Sequence, residues 1–155
     1  MEYKTILSLL KAMHEFNVRY AIVGGVALNF HGLARATADI DIFVSPEEEN
    51  IAKLRQALKS IFHDPDIDTI SSEDLAMAYP VIQYVPPEGT FHIDILARLG
   101  DMYSFKDIEA QEILVEGVPI RVATPDTLYR MKKDTVRLQD KADAERLKRH
   151  FKLKD

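Results

Sequence analysis

The chain has 155 residues, 46% of them hydrophobic and 29% charged, with no cysteine and a formal net charge of −5. That length and composition fit one folded domain with a proper core and exclude a disordered or fibrous chain. The lack of thiols excludes disulfides, a cysteine nucleophile and zinc–thiolate sites; it fits a reducing compartment, here the cytoplasm, with any metal held by oxygen or histidine. The first predicted element is a helix with Ile6, Leu9, Leu10, Met13 and Phe16 on one side. Lys4, Lys11 and Glu15 interrupt it, so it reads as neither a signal peptide nor a membrane span. A short apolar strand follows over 19–23, Gly24-Gly25 turns the chain, and a helix over 26–31 ends at Gly32.

A strand over 39–44 stops at Ser45-Pro46. Ser45 is expected to cap, and Pro46 to open, a helix running to about residue 62, with Glu47, Glu48 and Glu49 favoured by the helix dipole. A polar loop over 63–69 and a short helix near 72–78 come next. Strands over 81–85 and 91–96 flank Pro86-Pro87-Glu88-Gly89 as one hairpin, and strands over 112–115 and 119–122 flank Glu116-Gly117-Val118 as another. Thr124-Pro125 then opens a helical region by the same cap-then-proline logic. The expectation is a single domain, 1–155, with a mixed α/β (α+β) core over 17–123 and a C-terminal helical region over 124–155.

Charge is unevenly distributed. Residues 130–155 hold ten Lys/Arg against five Asp/Glu, leaving ten basic against twenty acidic residues in 1–129. A basic segment beside an acidic site suits an enzyme that handles a polyanion with metal ions, and solvated helix faces produce the same pattern.

Asp39 and Asp41 lie two apart in a run that otherwise reads Ile40, Ile42, Phe43, Val44, so on a strand both acids point to one face. Packing gives no reason to place like charges there unless a cation or hydrogen-bond donors offset them. Asp94, inside Phe91-His92-Ile93-Asp94-Ile95-Leu96, is a third acid in an apolar strand. If its strand lies beside that of Asp39 and Asp41, three carboxylates converge into the oxygen-rich set that Mg²⁺ prefers. Two such ions, roughly 3.5 to 4 Å apart, would activate an attacking hydroxyl and stabilise a leaving pyrophosphate oxygen. Gly24 and Gly25, without side chains, let backbone amides approach phosphate oxygens. Arg35 and Thr37 precede the acids at alternating positions and read equally as nucleotide contacts or as ordinary surface residues. His92 shares a face with Asp94, where it would orient that acid or contact substrate. A hydrogen-bonded structural role is commoner for it and for His31.

Gly24-Gly25, Asp39-x-Asp41 and the lone strand aspartate Asp94 resemble the nucleotidyltransferase superfamily that includes DNA polymerase beta, and in particular its minimal bacterial members. The resemblance implies a mixed-sheet nucleotidyltransferase core with flanking helices. It implies that Gly24 and Gly25 grip the triphosphate of an NTP, that Asp39 and Asp41 bind divalent metal, and that Asp94 completes the site and helps activate the acceptor hydroxyl. The metal would be two Mg²⁺ ions, with Mn²⁺ as the alternative. The segment Lys132-Lys133-x-x-x-Arg137-x-x-Asp140-Lys141-x-Asp143 is similar to the pattern of AbiEii-like toxin nucleotidyltransferases. On a continuous helix Lys133, Arg137 and Lys141 form one stripe, away from Leu128, Met131, Leu138 and Ala142, that would neutralise triphosphate or contact RNA. Lys132 falls elsewhere on that helix, and Asp140 and Asp143 read as structural partners. By resemblance the acceptor would be a tRNA 3′ end or a protein hydroxyl, and an antitoxin would be the partner. Gly-Gly stands where the superfamily has Gly-Ser, which keeps open a catalytically silent module that binds nucleotide, RNA or a partner protein. Metal-assisted phosphodiester hydrolysis shares the acids but leaves the glycine turn less well explained.

Overall fold

A computed structural model describes residues 3–77, 81–87, 91–99, 102–133 and 138–155. Helix α1 (Tyr3–Glu15) buries Ile6, Leu9, Leu10, Ala12 and Met13 along one side. It ends where Asn17 takes φ 58° and Val18 N–H reaches back to the Met13 carbonyl at 2.9 Å. Asparagine is among the few non-glycine residues that accept this left-handed cap. Strand β1 (Tyr20–Val23) then enters the core with all four residues buried.

Helix α2 (Gly24–Phe30) starts directly at the glycine pair. The glycine pair turns the chain as expected, with Gly24 at φ 71°, and the helix follows without any intervening residue. Strand β2 (Asp39–Val44) follows, then α3 (Glu48–Ile61). Ser45 does not cap α3: its N-cap is Glu47, which makes no side-chain cap bond. Asn50 supplies the missing fixture. It is buried, its Nδ2 donates to the carbonyls of Ser45 and Arg19 at 2.8 and 3.0 Å, and its Oδ1 accepts from Arg19 N–H at 2.7 Å. One amide thus ties the start of β1 to the end of β2.

The predicted polar loop holds a 3-10 turn over Pro65–Thr69, capped by the Asp64 side chain accepting from Asp66 N–H, and α4 (Ser72–Leu75) is a single turn. Strands β3 (Val81–Tyr84) and β4 (His92–Leu96) pair antiparallel as expected. A two-strand ribbon of β5 (Arg98–Leu99) and β6 (Tyr103–Ser104) was not foreseen. The second hairpin, β7 (Ala110–Val115) and β8 (Val118–Ala123), turns at Glu116-Gly117, where both φ angles are positive. Helices α5 (Pro125–Lys133) and α6 (Leu138–Phe151) close the chain and pack on each other.

The six-stranded sheet runs β3-β4-β2-β1-β8-β7. At its centre β1 is antiparallel to β2, while β2 and β4 run parallel. Ile40, Ile42 and Val44 alternate with Asp39, Asp41 and Phe43 along β2, and all of the apolar residues among these are fully buried. Each such side chain contributes roughly 1.5–3 kcal/mol. That burial fixes the register, because a one-residue slip would turn the isoleucines outward and the two aspartates into the core.

Candidate active site

Parallel pairing of β2 with β4 places Asp39 beside His92 and Asp41 beside Asp94. Register neighbours on parallel strands share a face, so two strands of alternating sequence bring four polar side chains together. His92 Nε2 lies 2.6 Å from Asp39 Oδ1. Among the described residues, donor atoms of Asp39, His92 and Asp94 all lie within 4.8 Å of one another.

Asp41 sits deeper. Burial, then the charge of Asp94 and a hydrogen bond with it, then the charge of Asp39, push its carboxyl up to about 7, with Lys132 opposing. The Asp41 carboxyl is thus disfavoured in its charged form by its own burial and by the acids beside it, and a cation there would relieve it.

Gly24 has φ +71°, and a Cβ there would fall 2.1 Å from Asp41 Oδ2. Backbone angle and the neighbouring acid both demand glycine. At Gly25 a Cβ would meet Arg35 Cγ at 3.3 Å and Thr37 Cβ at 3.4 Å, so those two side chains crowd the place where the superfamily carries serine. Val23 provides no side-chain cap to α2, and the first amides of a helix have no intrahelical acceptor.

These groups line a cavity of about 400 Å³. Its walls include Gly24, Gly25, Arg35, Thr37, Asp39, Asp41 and Asp94, faced by Leu128, Met131 and Lys132 of α5 and Asp140 of α6. A second cavity, of about 490 Å³, lies at the other end of β1 between His14, Arg19, Lys106 and Arg121. No group of acids lines it, so the chemistry belongs to the first.

Of the two adjacent lysines, Lys132 lines the cavity. Its Nζ donates to Asp140 Oδ1 at 3.1 Å and Asp143 Oδ2 at 3.2 Å. Asp143 is fully buried and also accepts from Arg35 Nε at 3.3 Å and Gln139 Nε2 at 3.2 Å. Burial alone would raise its pKa, but Lys132, Gln139 and Arg35 outweigh it and hold the carboxyl below the usual range. The loop after α2 is fixed from both sides: Asn29 exchanges two 2.8 Å bonds with the Arg35 backbone, and Arg146 Nη1 donates to the Ala34 carbonyl at 2.8 Å. Thr37 Oγ1 bonds the backbone of Asp39.

The expected stripe of Lys133, Arg137 and Lys141 does not exist on one continuous helix, because α5 ends at Lys133 and α6 begins at Leu138. Lys133 lies over the Tyr129 ring, 5.7 Å from its centroid, Lys141 is exposed, and Arg137 lies outside the described residues. Ala142, assigned to the apolar face, is exposed. His31 is structural: its Nε2 bonds the Ala123 carbonyl at 2.7 Å and its ring meets Phe151 edge-on. The residues undervalued by spacing alone are His92 and Lys132. Strand parity with Asp94 signals the first; the second depends on how two helices pack.

A family profile described as nucleotidyl transferase AbiEii toxin, type IV toxin–antitoxin system, matches residues 8–151. The chain belongs to the AbiEii nucleotidyl transferase toxin family. A search of curated proteins finds no match. Among solved structures, LnuA, a lincosamide antibiotic adenylyltransferase with lincomycin bound, is 18% identical with a TM-score of 0.60, covering 96% of this chain and 97% of its own. ANT(2″)-Ia in complex with adenylyl-2″-tobramycin is 16% identical with a TM-score of 0.58, covering 96% and 88%. An antigenic nucleotidyltransferase-like protein from Paracoccidioides brasiliensis is 16% identical with a TM-score of 0.54, covering 93% and 74%. At these identities the likeness is one of fold. It places this AbiEii-family chain on the mixed α+β nucleotidyltransferase scaffold, and no helix among the described residues is long and apolar enough to cross a membrane.

Proposed function

We propose that the cavity transfers a nucleoside monophosphate from an NTP to an acceptor hydroxyl, releasing pyrophosphate, with Asp39, Asp41 and Asp94 as the acidic centre. The observation that carries this reading is the register of β2 on β4, which stacks Asp41 on Asp94 directly over Gly24. The donor set fits a divalent cation: three carboxylates on one face, the Asp41 carboxyl pushed up by its acidic neighbours, are stabilised by one. Bound there, a divalent ion, Mg²⁺ being the usual occupant of oxygen sites, would neutralise triphosphate charge and acidify the acceptor hydroxyl.

The chain's own groups do the rest. Gly24 and Gly25 at the start of α2 line the cavity, where their backbone suits phosphate oxygens. Arg35 and Lys132, held by Asp143, stand across from the acids as fixed positive charge. The acceptor oxygen bonds to the α-phosphorus as the bond to the bridging oxygen of the β-phosphate breaks, and the hydroxyl proton passes to a carboxylate oxygen of the Asp41/Asp94 pair. Both the tRNA 3′ end and a protein hydroxyl satisfy this chemistry, and the family's toxin–antitoxin setting supports an antitoxin partner.

The test is incubation with Mg²⁺, each α-labelled NTP in turn, and total tRNA with lysate protein. Label on a macromolecule, with pyrophosphate released and both lost in Asp94→Asn, supports transfer. Free monophosphate without pyrophosphate indicates hydrolysis. Metal-dependent NTP binding without turnover at any acceptor supports a silent binding module.

A further inference from the structure

We infer that His92 is a nitrogen ligand of the metal held by this site, and that it shifts the preference of the site from Mg²⁺ toward Mn²⁺ and other first-row divalent ions. The inference rests on the reading of the cavity as a metal-dependent nucleotidyltransferase centre and adds a fourth donor of a different chemical kind.

His92 occupies the position on β4 that pairs with Asp39 on β2, two residues before Asp94, so its side chain shares the face of the acids. The ring aims Nε2, not a carbon edge, at the carboxylates: Nε2 is 2.6 Å from Asp39 Oδ1. One ring nitrogen of His92 and one oxygen each from Asp39 and Asp94 fall within 4.8 Å of one another. Donors on one cation with bonds of about 2.0–2.2 Å stand roughly 3–4 Å apart, so the three need only small rotations to share an ion. Access suits an ion arriving from water, since the side chains of His92 and Asp39 are 30% and 39% exposed.

Ligand chemistry then separates the metals. Carboxylates alone favour hard ions such as Mg²⁺, which dehydrates reluctantly and rarely takes nitrogen, whereas imidazole favours the first-row transition ions. One imidazole among carboxylates moves the balance toward Mn²⁺ without excluding Mg²⁺. The competing role for His92 is that of a positioning residue, donating from Nε2 to Asp39 and never touching the metal. In that case Asp39 would be held equally well for either ion.

Pulsed electron paramagnetic resonance of Mn²⁺ added to the full chain distinguishes the two. Bound Mn²⁺ is expected to show a coupled nitrogen that changes from ¹⁴N to ¹⁵N when the histidines are isotopically labelled and disappears in His92→Gln. By calorimetry the same variant is expected to lose at least about tenfold in Mn²⁺ affinity while Mg²⁺ affinity changes less than about threefold. His92→Asn and a thermal melt of each variant control for misfolding. Mn²⁺ bound without nitrogen coupling, or equal losses for both ions, overturns the inference and leaves the acidic site standing. No Mn²⁺ binding at all overturns both.

Discussion

Replacing Asp41 with Asn should stabilise the metal-free protein, and do so increasingly as pH rises. In the folded chain the Asp41 carboxyl is pushed from 3.8 to about 7, first by burial and then by Asp94 and Asp39. Between those two values the folded state binds more protons than the unfolded one, so stability falls as pH rises through the window and the full penalty is present above about 7. Moving a carboxyl that far corresponds to roughly 4 kcal/mol at about 1.4 kcal/mol per pH unit. Solvent reaching the partly exposed cavity reduces this to about 2 kcal/mol. Asparagine keeps the shape without the charge, and its Nδ2 can donate to an Asp94 oxygen. We therefore expect Asp41→Asn to melt about 4–8 °C above wild type at pH 8 without metal and close to wild type near pH 4. Added Mg²⁺ should raise the wild-type melting temperature and not that of the variant. Circular dichroism melts across pH, with EDTA and with Mg²⁺, measure all three quantities. A stability difference that does not change with pH would refute the carboxylate-repulsion argument.

Gly24→Ala combines a left-handed backbone, costing about 1–2 kcal/mol, with a Cβ 2.1 Å from Asp41 Oδ2; urea unfolding should show a loss beyond that strain alone, and the labelling assay no transfer. Asp143→Ala leaves Lys132 and Arg35 facing a buried gap and should cost on the order of 3–5 kcal/mol in urea at pH 7. Because the Asp143 carboxyl lies below its usual range, its contribution is present above the unfolded value and lost as pH falls through the folded one, so variant and wild type should converge in acid. Lys132→Ala should abolish labelling of acceptor, while Lys133→Ala and Lys141→Ala, whose side chains lie on Tyr129 and in solvent, should label at nearly the wild-type rate.

The acids were legible because strand alternation is a local rule. Asp39, Ile40, Asp41 and Ile42 declare which two side chains share a face, and His92 with Asp94 repeats the pattern. Their meeting required β4 to lie parallel beside β2, a long-range pairing that alternation leaves open. The caps were less legible. Ser45-Pro46 carries the composition of a helix start, yet Asn50, five residues on, holds that corner from inside the core. The C-terminal cations were less legible because Lys133 closes α5 and Lys141 lies on α6, two helices that the periodicity reads as one. A stripe drawn through Lys133 on one long helix misses Lys132, which faces Asp140 and Asp143 once α6 packs against α5.

That packing also changes what the basic C-terminal segment can do for a polyanion. Much of its charge is spent within the fold: Arg130 on Asp126, Lys148 on Asp155, Arg149 on Glu145 and Lys132 on two aspartates. Around the cavity the described cations Arg35 and Lys132 face Asp39, Asp41, Asp94 and Asp140, with Asp143 behind them. A triphosphate entering so acidic a pocket meets net repulsion unless a divalent ion enters with it. Nucleotide binding itself, and not only turnover, should therefore require metal. Titration calorimetry with a non-hydrolysable NTP analogue should give heat in Mg²⁺ and none in EDTA. Asp39→Asn with Asp41→Asn should recover part of the metal-free binding while losing transfer. Equal affinity in EDTA and Mg²⁺ would place the phosphates away from the acids, against the α2 amides alone.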